Sequence, residues 1–79
     1  MSSYEIAREL DASGLRCPMP VLKMKQEIGE IEIGEVLKVI ATDVGTKKDF
    51  PVWAKRSGNE ILEMKEDGDA IIWFIKRIE

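Results

Sequence analysis

The chain has 79 residues, a formal charge of −3, and a composition that is 44% apolar and 34% charged. That length supports one domain with a small core, and the acidic balance argues against direct nucleic-acid binding, which calls for a basic excess or stripe. The chain has no histidine and one cysteine, Cys17. This excludes Ser-His-Asp and Cys-His catalysis, histidine metal sites, an intramolecular disulfide and a paired-cysteine redox cycle. No stretch reaches the roughly 18 apolar residues of a membrane helix. The first residues have neither the basic cluster nor the apolar run of a signal peptide, so a cytoplasmic location is expected.

Along the chain, Tyr4, Ile6 and Leu10 alternate and predict a strand over 4–10, with Arg8 as the exception. Residues 11–14, Asp-Ala-Ser-Gly, mark a turn. Leu15-Arg16-Cys17-Pro18-Met19-Pro20 then leads into helical spacing at Val21, Met24, Ile28 and Ile31. Proline is tolerated in a first helical turn, where its missing N–H has no intrahelical partner, so a helix is predicted over about 18–29. Gly34 is a break, and the β-branched run at 36–41 predicts a strand with Leu37, Val39 and Ala41 on one face. After a turn at 43–45, Thr46 to Asp49 has capping-box form. Pro51 would instead suit a later start capped by Asp49. On either start, Phe50, Trp53, Ala54 and Ser57 form the inner stripe, and Gly58 stops the helix. Strands at 60–66 and 69–78 meet at Asp67-Gly68, a strong hairpin signal. In the last strand Ile72, Phe74 and Ile78 oppose Ile71, Trp73 and Ile75, so its second face is either partly covered or a docking surface. The expected fold is α+β, in the order βαβαββ: a four-stranded mixed sheet with both helices packed on one face.

Cys17 is the one nucleophile in a recognisable setting. It precedes the helix-opening Pro18, so its sulfur is expected near a helix N-terminus, where unpaired amides and the dipole favour an anion. Together with Arg16, this predicts a pre-positioned, exposed and fairly ionised thiol. The competing reading is a small buried apolar side chain. Without a histidine or a second cysteine, such a thiol is limited to exchange chemistry: it accepts a sulfur atom as a persulfide and presents it to another thiol. That chemistry needs no metal and no cofactor. Asp11 either caps its own turn or orients the cysteine loop. Arg16, Met19 and Lys23 are either solvated surface or a docking rim, with Met19 an adaptable apolar contact. Lys47-Lys48 and Lys55-Arg56 read as solvated helix positions or as contacts for an acidic partner or an RNA backbone.

Leu10-Asp11 followed by Gly14-Leu15-Arg16-Cys17-Pro18-Met19-Pro20 resembles the signature of the TusA/SirA-like sulfur carriers, whose hallmark is Cys-Pro-x-Pro. The similarity continues through Gly34, Leu37, Val39, Asp43, Asp49-Phe50-Pro51 and Gly58, so it covers nearly the whole chain. It implies a two-layer α/β sandwich and a sulfurtransferase that turns over only with its partners. In such a relay Cys17 takes persulfide sulfur from a cysteine desulfurase or rhodanese-like donor. It passes the sulfur to a thiol acceptor protein serving tRNA thiolation, molybdenum-cofactor supply or sulfur oxidation. Pro18, Pro20, Arg16, Asp11 and Asp49 would support the site, with Asp49 either capping the helix or meeting a partner. A monomer or weak homodimer is expected. The chain departs from the family pattern at Val44, where Asp-Pro is common, and at Ala54 and Asn59, where a cysteine and a histidine often stand. Two other readings remain open: a noncatalytic interaction or regulatory module, RNA-associated in one version, and a redox or selenium-handling thiol protein.

Overall fold

The computed structural model describes residues 5–79, and the alternations of the sequence become four strands and two helices. In chain order these are β1 (Ile6–Ala12), α1 (Met19–Ile28), β2 (Val36–Ala41), α2 (Thr46–Ser57), β3 (Glu60–Asp67) and β4 (Ala70–Lys76). The sheet order is β1-β2-β4-β3, with β1 parallel to β2 and the other two pairings antiparallel. A parallel pair needs a crossover, and α1 supplies it. The expected mixed sheet and element order are therefore present.

One face of the sheet meets both helices. Leu10 pairs with Val39, Val39 with Trp73 and Trp73 with Met64, giving a continuous row across all four strands. Met24 and Ile28 of α1 and Phe50 of α2 close over Leu37, Val39, Trp73 and Ile75. Phe50 is fully buried, and its ring centroid lies 5.0 Å from that of Trp73 at a 53° tilt, a favoured aromatic geometry. Trp53 departs from the expectation of core. It is only partly buried, on the α1 side of α2, because Phe50 and Ala54 already fill the space over the sheet.

Several boundaries shift for local reasons. Tyr4 lies outside the described residues, and β1 runs on to Ala12. Arg8 lies on the helix-facing side with Leu10 and Ala12, where its guanidinium pairs with Glu27 of α1, and the register shift between Ile6 and Arg8 instead sets Ile6 opposite Val36, off that row. In α1 the buried residues are Pro20, Met24 and Ile28, with Val21 only half-buried. Helix α2 starts at Thr46, and neither proposed cap forms. Its first turn closes instead with short backbone bonds: the N–H groups of Thr46, Lys47 and Lys48 donate to the carbonyls of Asp43, Val44 and Gly45. Pro51 therefore sits inside the helix. Gly58 ends α2 in the left-handed conformation, φ +80°. The β3–β4 loop is Gly68-Asp69, one residue later than expected. Asp67 pairs with Ala70, and Gly68 alone has positive φ, the pattern of a type II′ turn.

On the opposite face β4 is an interior strand, and Phe74 is only 7% exposed. Lys65 reaches over its ring, with Nζ 5.7 Å from the centroid, and Lys38 pairs with Glu9 across the same face. Lys65 thus covers Phe74 at the centre of the face, while Ile78 lies beyond β4 and is exposed.

Candidate functional site

Two loops meet at the C-terminal ends of the parallel strands β1 and β2, the end of a parallel sheet where ligands commonly bind. The first, after β1, carries Cys17; the second, after β2, carries Thr42, Asp43 and Gly45. Two side chains of the second loop tie them together. The Gly14 N–H donates to Thr42 Oγ1 at 2.8 Å, and the Cys17 N–H donates to Asp43 Oδ2 at 2.6 Å. Asp43 also folds its own loop, its Oδ1 accepting the Gly45 N–H at 3.0 Å. These amides, Gly45 first and Cys17 second, hold the Asp43 carboxyl below its ordinary value.

Cys17 is exposed, and its S–H donates to Asp49 Oδ2 at 2.9 Å. Gly45 lies against the sulfur: a Cβ there would come within 2.9 Å of Sγ. An open depression of about 500 Å³ lined by Gly14, Leu15, Arg16, Thr42 and Val44 surrounds the thiol. A small thiol-bearing group can reach the sulfur without rearrangement.

The electrostatics reverse the expectation of an ionised thiol. The Asp49 carboxylate, then Asp43, push the Cys17 thiol from its ordinary 9.0 up to about 12. The helix N-terminus does not offset this, for a reason visible in the motif. Pro18 and Pro20 have no N–H, the Met19 N–H donates to the Arg16 carbonyl, and the Cys17 N–H is taken by Asp43. Few amides are left for the sulfur, and two carboxylates stand where an anion hole was expected.

The other predicted residues divide into two groups. Asp49 comes from the first turn of α2 to the sulfur rather than capping the helix. Arg16 is exposed beside Asp43 and contributes to its lowered pKa. Pro18 and Met19 are exposed at the start of α1, whereas Pro20 is buried beneath it. Lys23 is exposed on α1 and does not line the depression around the thiol. Asp11 does not reach the sulfur: its carboxylate accepts from Ser13, side chain and amide, which lowers its pKa. Asp43 and Gly45 had no assigned role in the sequence reading. The Asp-x-Gly pattern of an Asx turn was the available sign, but it names a turn and not what the second oxygen holds. No helix among the described residues is long and apolar enough to cross a membrane.

A family model described as Sulfurtransferase TusA matches residues 8–77. The chain is 50% identical over 70 residues to a sulfur carrier protein TusA of Allochromatium vinosum, covering 89% of this chain and 92% of that one. It is 43% identical over 68 residues to the putative sulfur carrier protein YrkI of Bacillus subtilis, covering 86% and 91%. The crystal structure of a SirA-like protein from Desulfitobacterium hafniense superposes with a TM-score of 0.72 at 29% identity, covering 91% of this chain and 99% of that one. The match runs from β1 through β4 and includes both loops around Cys17: the chain belongs to the TusA family of sulfur carriers.

Proposed function

We propose that the protein relays sulfur as a persulfide on Cys17. One observation carries this reading: the chain's single sulfur nucleophile is exposed, pre-positioned between two loops, and hydrogen-bonded to a carboxylate. The chemistry is exchange. In loading, Cys17 sulfur attacks the terminal sulfur of a donor persulfide, so Cys17–SH + R–S–SH gives Cys17–S–SH + R–SH. In delivery, an acceptor thiol attacks the outer sulfur, so Cys17–S–SH + R′–SH gives Cys17–SH + R′–S–SH. Each step forms one S–S bond and breaks one, and neither needs an oxidant.

The attacking form in such exchange is the thiolate, yet the resting thiol is held protonated. Asp49 is placed to take that proton during loading. In delivery the same group returns it, since a thiolate of high pKa is a poor leaving group unless protonated. A cysteine desulfurase or a rhodanese-type protein fits the donor role, and a protein thiol fits the acceptor. A lone free cysteine suits a reducing cytoplasm.

The test is intact mass after incubation with a cysteine desulfurase and cysteine, without reductant, beside Cys17→Ser. The wild type gains the mass of one or more sulfur atoms, lost again on reduction, and the variant gains none. Equal gain in both proteins, or none in either with desulfurase and rhodanese donors alike, would overturn the relay. RNA binding that falls with salt and survives Cys17→Ser would favour an interaction module instead.

A further inference from the structure

A second concavity lies beside the thiol, between α1 and α2, with a volume of about 510 Å³. It is lined by Pro18, next to Cys17 in the chain, and by Asp49, which accepts from the thiol, so whatever fills it meets the residues that hold the reacting sulfur. Its floor is apolar: Val21 and Trp53 are half-buried there, and Val52 is 44% exposed. Its rim is cationic, formed by Lys25 of α1 with Lys48 and Arg56 of α2. All three are exposed, and none has an ion-pair partner among the described residues; the pairs present use Arg8, Lys38, Lys47 and Lys65. The one acid in the groove, Asp49, accepts from the Cys17 thiol. A chain of net charge −3 thus concentrates unneutralised positive charge around an apolar slot next to its nucleophile.

We propose that this groove docks an acidic segment of a partner protein, one that inserts an apolar side chain between the helices and sets carboxylates against Lys25, Lys48 and Arg56. The inference rests on the relay reading for its purpose, because a partner's thiol must be brought to Cys17. Charge selects this occupant. A second copy docked symmetrically through the same groove would oppose three positive charges with three of the same sign. A nucleic-acid backbone calls for a basic excess over the molecule, and the chain is acidic at −3. A short segment uses both floor and rim and ends there. Trp53 and Arg56 are the residue types that most often dominate interface energetics.

The test is an NMR titration of the isotopically labelled full chain with a synthetic peptide carrying a Leu–Trp centre flanked by glutamates. The amide signals of Val21, Lys25, Val52, Trp53 and Arg56 shift, and binding weakens with salt. Arg56→Glu and Lys25→Glu each weaken binding about tenfold. Lys55→Glu, the same charge change on the same helix but off the groove, leaves it unchanged. The dispersed spectrum of each variant reports that it is folded. Absence of shifts, equal loss in Lys55→Glu, or equal binding of a peptide with glutamine in place of glutamate would overturn the proposal. So would tighter binding of an oligouridylate to the same residues, which would make the groove a nucleic-acid surface. Cys17→Ser binds the peptide like the wild type. Failure of sulfur loading with peptide binding intact would therefore count against the relay and not against the groove.

Discussion

Asp49 does two opposed things to one sulfur: it fixes the thiol in place and it suppresses the charge the chemistry needs. The pH dependence of alkylation separates them. With iodoacetamide, the wild-type rate rises with a midpoint near 12, above the ordinary 9.0, because the neutral form is the one held by Asp49 and Asp43. In Asp49→Asn the largest cause is gone, and the midpoint falls toward 9.0. A midpoint unchanged by that substitution would remove Asp49 from the site. By linkage, the folded state's preference for the protonated thiol adds stability at pH values below 9.0. That stability is lost as pH rises through about 12. Gly45 acts by its lack of a side chain. Its φ of −60° suits alanine, so in Gly45→Ala the cost falls on the contact with the sulfur and not on the backbone. The added methyl would sit 2.9 Å from Sγ and push the sulfur off Asp49. Sulfur loading then slows by about 10- to 100-fold at unchanged circular dichroism; loading at the wild-type rate would show that the sulfur's position there is unimportant.

At the scale of the elements, the connection from α1 to β2 is pinned from the far end of the chain. The Arg77 side chain donates to the carbonyls of Gly29 and Ile31. Its backbone exchanges hydrogen bonds with Gly34 and Glu35. Removing the guanidinium leaves carbonyls without their donor, so Arg77→Ala lowers stability by about 1–3 kcal/mol in urea denaturation. A loss within error would mean water replaces it. This tie also shows where legibility ended. Each helix and strand was legible because its apolar period is local: Met24 with Ile28, Phe50 with Ala54, Leu37 with Val39. The tie from Arg77 to Ile31 joins residues far apart in the chain, and no periodicity reports it. The same holds at the site. Cys-Pro-x-Pro marked Cys17, but the sulfur's ionisation depends on Asp43 and Asp49, brought in by the loop after β2 and the first turn of α2. Of the two starts left open for α2 the fold takes the earlier, for the same reason: Asp49 looks like a cap in sequence, while in the fold its carboxylate accepts from Cys17.

The whole molecule presents two unlike faces. The helix side carries the thiol and the cationic groove; the open side of the sheet has its apolar centre overlaid by Lys65 and bounded by the Lys38–Glu9 pair. With that side covered, sedimentation equilibrium at micromolar concentration returns a single species of 9.0 kDa. A mass that doubles with concentration would assign the sheet face to self-association. The protonated thiol has a further consequence for a carrier that diffuses between encounters. At pH 7 a thiol of pKa about 12 is ionised in on the order of one molecule in 10⁵, against about one in a hundred at 9.0. Peroxide, glutathione disulfide and other small electrophiles select the ionised form, so they find almost nothing to attack on the unloaded carrier. Two carboxylates thereby give the unloaded thiol a long shelf life.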